Sequence, residues 1–162
     1  MSSGDKPKPI LIKDKPLFYL RNFTLDDGKS NKKLEDIYNF SDNEIEGTHD
    51  FIQIIFPLAE PSYWSSNKYF IETQKEIDNL SRNKNVKNSI LKSASWYIAF
   101  LKWNNHWKHS NNHNLKRITR MIKSVRLIAG DTDADKVKKE IMNIENIERL
   151  IGQKSFQYWE TA

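Results

Sequence analysis

The amino-acid sequence predicts an all-α fold, and this prediction rests on two periodic segments and one capping signal. Apolar residues of segment 114–129 share one arc at 100° per residue, and basic residues occupy the complementary arc. Segment 86–102 is the most apolar part of the chain. Ser41 followed by Glu44 has the spacing of a capping box, which starts a helix. Because strand-like alternation never extends beyond a few residues, helices are expected throughout.

The elements before segment 86 are predicted from turn and breaker residues. Residues 1–16 hold three of the five prolines and predict an extended arm. A short helix is expected around Leu34, followed by the helix that Ser41 caps. That helix is expected to continue to about Phe56, because Pro57 cannot extend it. After a loop, another helix is predicted near 67–81.

The elements after segment 86 follow from periodicity and from loop composition. An Asn- and His-rich loop, 104–114, separates the helix of 86–102 from that of 114–129. Gly130 is placed to end the latter. Asp131-Thr132-Asp133 is expected to cap a last helix, and an aromatic tail closes the chain. The prediction is one compact domain over 17–162.

Composition narrows the classes of function. Lys and Arg (26) only slightly outnumber Asp and Glu (21), so the net charge of +5 permits a nucleic-acid or membrane-surface partner without requiring one. The absence of cysteine excludes disulfides, thiolate zinc sites and cysteine nucleophiles. The N-terminus has no signal-peptide pattern, and no window approaches the roughly 20 apolar residues of a membrane span. A soluble, cytoplasmic protein is expected.

Two sequence motifs carry a resemblance to a known family. Segment 46–58 reads Glu-Gly-Thr-His-Asp-Phe-Ile-Gln-Ile-Ile-Phe-Pro-Leu, and segment 117–127 reads Arg-Ile-Thr-Arg-Met-Ile-Lys-Ser-Val-Arg-Leu. Trp107 and His113-Asn114 precede the second motif. Together they resemble the T-H-D-Y-I-Q-W-L-F-P signature and the W-x5-H-N, R-I-T-R, K-S-L-R-L block of the opioid growth factor receptor conserved-region family.

Weaker agreement extends the resemblance over most of the chain from about residue 17. It includes Phe18-Tyr19, Asp27-Gly28-Lys29 and Tyr158-Trp159. Two positions depart from the pattern: Ile54 stands where the family usually has Trp, and Lys116 where it usually has Leu. These departures replace one aromatic contact and add a charge beside the arginines.

The resemblance implies a stand-alone, bacterial-type helical domain of unknown biochemical role. The animal namesake is described as a nuclear-associated receptor for Met-enkephalin that restrains proliferation. This chain lacks the long repeats of the animal protein, so the resemblance by itself does not imply enkephalin binding.

The first candidate group for a site is His49, Asp50 and Gln53. Spacings of three and four on a single helix would place them on one face. Asp50 could orient His49 or contact a ligand, and Gln53 offers a donor and an acceptor. The alternative is a buried network that only ties this helix to the loop after Trp107.

The second candidate group lies at the start of the basic helix. His113 and Asn114 are expected at its N-terminus, where free N–H groups and the helix dipole favour an anion. Arg117 and Arg120 follow and could hold a carboxylate or phosphate through paired contacts. Trp107 is expected at the surface beside them. Alternatively, the arginines form a solvated face or bridge to acids such as Asp50.

The resulting prediction is a non-enzymatic binding domain with a polar cleft between the two candidate groups. Its partner would be an anionic small molecule or peptide, or another protein, and neither a cofactor nor a metal is expected. One alternative is a small acid–base enzyme that uses His49 or His113 with the arginines. Another is nucleic-acid binding through the basic helix. A metal site at His106, His109 and His113 is disfavoured, because that stretch reads as a loop without a nearby acid.

Overall fold

The computed structural model confirms the all-α prediction. It describes residues 23–24, 31–32, 34–48, 51–60, 71 and 73–162. Within these ranges the helices are α1 (Leu34–Tyr38), α2 (Asp42–Gly47), α3 (Phe51–Ile55), α4 (Gln74–Arg82), α5 (Lys84–Trp103), α6 (Asn114–Ala129), α7 (Asp131–Met142), α8 (Ile147–Ile151) and α9 (Gln153–Glu160). Two two-residue strands, β1 (Phe23–Thr24) and β2 (Asn31–Lys32), pair antiparallel with Phe23 opposite Lys32.

The chain divides into two compact units, Met1–Ser89 and Ile90–Ala162, and the division falls within α5. The predicted N-terminal arm, 1–16, lies outside the described residues, and the single domain over 17–162 stays a prediction. Each unit is therefore described by itself.

In the first unit, the capping box of α2 forms as predicted. The Ser41 Oγ accepts from the Glu44 N–H at 3.2 Å, and the Ser41 N–H donates to the Glu44 Oε1 at 3.0 Å. The expected continuation to Phe56 is wrong, because α2 ends at Gly47. Thr48 is extended, with φ −98° and ψ 124°, and its N–H bonds to the Glu44 carbonyl at 3.0 Å. A weak helix former followed by a β-branched residue favours this break.

The remaining helices of the first unit are α3 and α4. Every side chain of α3 is buried, so this short helix is core on all sides. The predicted start of α4 near residue 67 is wrong in the part that can be described. Ile71 and Thr73 are not helical, and the Thr73 Oγ1 caps the helix by accepting from the Glu76 N–H at 3.2 Å. The helix therefore starts where a threonine side chain satisfies one of its free N–H groups.

In the second unit, α6 forms with the predicted bounds and is the most buried element. It packs most extensively against α7 and also contacts α9. Trp159 of α9 is fully buried, and its indole N–H donates to the Leu115 carbonyl at 3.2 Å. The buried residues of α6 are Asn114, Leu115, Arg117, Ile118, Met121, Ile122, Ser124, Val125 and Ile128. Three polar residues of α6, Asn114, Arg117 and Ser124, are thus buried together with its apolar residues.

Gly130 joins α6 to α7 in a conformation that suits glycine alone. It adopts φ 103° and ψ 173°, and its N–H bonds to the Val125 carbonyl at 3.1 Å. The prediction that Asp131-Thr132-Asp133 caps the next helix is wrong, since Gly130 occupies the cap and Asp131 is already helical. Nor is α7 the last helix, because the predicted tail forms α8 and α9.

Gly130→Ala is expected to lower the free energy of unfolding by about 1–3 kcal/mol, because an L side chain is strained at this φ and ψ. A built Cβ meets nothing within 4 Å, so the loss would report backbone strain and not a clash. Urea unfolding followed by circular dichroism measures it.

The matched control is Gly47→Ala, where a Cβ also meets nothing within 4 Å and φ is not positive. This variant should retain wild-type stability or gain about 0.4–1 kcal/mol. Equal losses in the two variants would contradict the role assigned to Gly130.

Candidate functional site

The structure distributes the predicted site residues over both units. His49 and Asp50 lie outside the described residues, so their placement stays a prediction. Gln53 belongs to the first unit, on α3. The preceding helix ends at Gly47 and the described part of α3 begins at Phe51, so the shared face of the three side chains also stays a prediction.

Gln53 is enclosed, with 2% of its surface exposed. Among the described residues, no group lies within hydrogen-bond distance of its side-chain oxygen or nitrogen. A buried amide without partners costs free energy, so this position is one where a polar group of water or ligand would be stabilised.

In the second unit, Asn114 is held by a hydrogen-bonded network inside the protein. Its Oδ1 accepts from the hydroxyl of Tyr97 on α5, and its Nδ2 donates to the Asn112 Oδ1 at 2.9 Å. All of its surface is buried. Asn114 therefore fixes the start of α6 against α5, and its amide is engaged within the fold. Sequence reasoning missed both partners, because neither the 97–114 separation nor an Asn two residues upstream signals this contact.

Backbone N–H groups at the N-terminus of α6 donate to oxygens of the residues just before them in the chain. The Asn114 N–H donates to the Asn112 Oδ1 at 2.8 Å, the Leu115 N–H to the Asn112 carbonyl at 3.2 Å, and the Arg117 N–H to the His113 carbonyl at 3.4 Å. His113 occupies the cap position with an exposed side chain that makes no capping bond. The Arg117 bond is the first ordinary bond of the helix, and the N–H groups of Asn114 and Leu115 that precede it are already used. The predicted role of open N–H groups in holding an anion is therefore weakened.

Trp107 is core and not surface, contrary to expectation. None of its surface is exposed, and its indole N–H donates to the carbonyls of Leu101 at 2.9 Å and Asn104 at 2.8 Å. These are carbonyls at the C-terminal end of α5, which the helix cannot satisfy itself. Trp107 thus closes α5, and its ring is unavailable to a ligand. The Lys108 ammonium lies 5.9 Å from the ring centroid.

Arg117 and Arg120 differ from the expectation of an exposed basic arc. Arg117 is only 7% exposed, and Arg120, one turn later, is half-buried. Lys116 and Lys123 on the same helix are exposed. A guanidinium stays charged, and its burial is tolerated only when its donors are engaged. Burial therefore separates the two arginines from the solvated lysines.

Arg126, at the far end of α6, forms a surface ion-pair cluster. Its guanidinium donates to the Asp131 Oδ1 at 2.9 Å, to the Asp135 Oδ1 at 2.8 Å and to the Ala162 carbonyl at 3.0 Å. The hydrogen bond from Arg126, assisted by its positive charge, lowers the pKa of Asp135 below its ordinary value. The bonds to Asp135 and Asp131 raise the pKa of Arg126. Arg126 therefore ties α6 to α7.

Chemically, these residues offer positive charge and hydrogen-bond donors more than reactive groups. No cluster of metal-ligating side chains occurs among the described residues. None of the described helices combines the length and hydropathy needed to cross a bilayer. What the second unit presents is a buried arginine, Arg117, and a half-buried one, Arg120, near the start of a central helix.

Comparison of the chain with protein-family models, curated proteins and solved structures finds no match. The fold and the site geometry therefore define only a general class of protein. It is an all-helical protein with one buried and one half-buried arginine on a core helix. The opioid growth factor receptor resemblance stays a prediction from the quoted motifs.

The Arg126–Asp135 pair predicts acid sensitivity. Because the pKa of Asp135 is depressed in the folded state, its stabilising effect is fully present above the ordinary value of 3.8 and is lost as pH falls through the folded value. Asp135→Asn should lower stability at neutral pH and flatten the decline in acid. Urea midpoints between about pH 2 and pH 7 measure this.

Arg126→Met tests the cause of that shift. It should flatten the same part of the profile, and the double variant should add little to either single change. Parallel profiles for Asp135→Asn and wild type would show that the pair does not shift this carboxyl.

Proposed function

We propose that the protein is an opioid growth factor receptor-like helical binding domain whose ligand carries an anionic group, held by Arg117 and Arg120. The ligand class is a carboxylate or phosphate on a small molecule or peptide. Asn114 and Trp107 act in this proposal as supports of the site, because both are enclosed by bonds within the chain.

The burial of Arg117 is the observation that carries the proposal. Charge–charge interactions are stronger in a partly desolvated site than in water, so a carboxylate reaching this guanidinium would bind more tightly than one at an exposed lysine. The planar fork of arginine can hold both oxygens of such a group. Arg120, one turn along and half-buried, adds a second fork on an adjacent side of α6.

Sequence resemblance supports the same residues independently. The R-I-T-R element of the family corresponds to Arg117-Ile118-Thr119-Arg120, so both arginines fall on motif positions. His113 and Asn114 also match the family block. Two arguments of different kind, burial in this fold and position in a motif, therefore converge on α6.

The acid–base enzyme alternative, with His49 or His113, stays a prediction. His49 lies outside the described residues, and His113 is exposed at the start of α6. No described contact favours catalysis over binding.

A thermal-shift panel of phosphates, nucleotides, small carboxylates, acidic peptides and Met-enkephalin tests the proposal. A ligand at about 100 times its Kd stabilises by about 2.7 kcal/mol, which corresponds to a rise of roughly 5–10 °C in Tm for a chain of this length. We expect such a rise for one anionic class. Arg117→Met with Arg120→Met should then weaken binding by roughly 150-fold or more, because each arginine contributes at least one charged hydrogen bond of about 1.5–3 kcal/mol.

The matched control is Lys116→Met with Lys123→Met, which removes two exposed cations from the same helix. It should change affinity by at most about fivefold for each lysine, since a solvated charge contributes about 0–1 kcal/mol. Unchanged binding by a folded arginine double variant, or equal losses in both double variants, would refute the arginine site.

A further inference from the structure

The exposed face of α5 within the second unit combines aromatic rings with positive charge. At 100° per residue, positions 92, 95, 96, 99, 102 and 103 fall on one side of the helix. They are Lys92, Ser95, Trp96, Ala99, Lys102 and Trp103, which we call the α5 strip. All of them are exposed except Trp96, which is half-buried.

Trp103 is the most unusual member of the α5 strip. It is 87% exposed, whereas Trp107 and Trp159 are fully buried. A large aromatic side chain left in water forfeits the free energy of burial that the other two gain. Trp96 lies two turns earlier on the same side, about 10 Å along the helix axis. The strip therefore offers two indole groups in a row at the surface.

The stretch of sequence that contains the strip is basic throughout. Residues 79–130 contain no Asp or Glu but eleven Lys and Arg, so the remainder of the chain carries 15 basic against 21 acidic residues. Lys92 precedes both tryptophans and Lys102 lies between them, and the exposed His106 follows in the loop after α5. Lys102 also lies 3.7 Å from Glu140 of α7, but both side chains are more than half exposed. Such a pair contributes about 0–1 kcal/mol and exchanges readily for another anion.

We propose that the α5 strip binds single-stranded nucleic acid, with a base stacked on Trp103 and backbone phosphates at Lys92 and Lys102. Exposed indoles provide stacking surfaces for bases of any sequence, and lysines provide counter-charge for phosphates. The two lysines are about 15 Å apart along the axis, which a few nucleotides can span. This surface shares no residue with the arginine site on α6.

The composition of the strip favours nucleic acid over an acidic protein. Protein–protein interfaces also use aromatic anchors, but they surround them with an apolar core that is depleted in lysine. Ala99 is the only aliphatic residue of the strip, and its other apolar groups are indole rings. Indole rings with lysine ammonium groups beside them therefore suit bases and phosphates better than they suit the apolar core of a protein interface.

Fluorescence polarisation with labelled oligo(dT) and oligo(U) of about 12 nucleotides tests the proposal. Trp103→Ala should weaken binding about tenfold, within the range for loss of one stacked base. Between about 50 and 200 mM salt, the logarithm of the binding constant should fall with the logarithm of salt, with a slope steeper by about 1.4 than in Lys92→Met with Lys102→Met. This difference corresponds to two phosphate contacts on a single strand.

Matched controls remove similar groups from another helix. Tyr158 is a 57% exposed ring on α9, and Lys154 is an exposed cation there. Tyr158→Ala and Lys154→Met should each bind as wild type. Arg117→Met with Arg120→Met should also keep oligonucleotide affinity, so failure of the α6 site and failure of the α5 strip are distinguishable.

Three outcomes would overturn the proposal. They are no binding at about 50 mM salt, unchanged binding by Trp103→Ala, and polyglutamate binding as tightly as the oligonucleotide with the same dependence on Trp103. The last would assign the strip to an acidic protein.

Discussion

Burial of one broad face of α6, which encloses polar as well as apolar side chains, is the constraint on which the second unit depends. A helix in this position must satisfy each polar group inside the protein or lose stability. The apolar residues Ile118, Ile122 and Val125 fill the core, while Asn114 is satisfied by Tyr97 and Asn112. The same requirement explains why Trp159 of α9 donates to a carbonyl of α6. Hydrogen bonds between buried polar groups thus fix the relative positions of helices whose apolar residues pack together.

This constraint also sorts the cations of α6 by role. Lys116 and Lys123 are exposed and contribute mainly to solubility. Arg126 pairs with carboxylates of α7 and has a structural role. Arg117 is enclosed, and Arg120 is partly so, which is why these two carry the proposed anion site. A nucleic-acid surface along α6 is less well supported than the sequence suggested, because one arginine is buried and another is held by two acids.

Periodicity made α6 predictable, since its apolar arc is long and glycine ends it. The break between α2 and α3 was not predictable in the same way. A capping box marks where a helix starts but does not determine its length, and the apolar spacing on both sides of Thr48 fits one helix as well as two.

The candidate site was only partly predictable, because burial of single polar residues depends on tertiary neighbours. Arg117 lies on the polar arc by its angle, yet it is enclosed by other elements of the fold. Trp107 follows an Asn-rich stretch, yet its side chain is buried because its indole N–H donates to free carbonyls at the end of α5. Asn112, and not His113, provides the capping oxygen for α6. No spacing in the sequence distinguishes these outcomes.

Urea unfolding of Tyr97→Phe tests most directly whether α6 depends on internal satisfaction of its polar groups. The variant removes one hydroxyl from a fully buried ring and leaves the Asn114 oxygen without that donor. A loss of about 1–3 kcal/mol in the free energy of unfolding is predicted. Tyr158→Phe, which removes a hydroxyl from an exposed ring, should change it by less than about 0.5 kcal/mol. If Tyr97→Phe is as stable as wild type, the Tyr97–Asn114 bond does not hold α6 in place and the account of this unit is wrong.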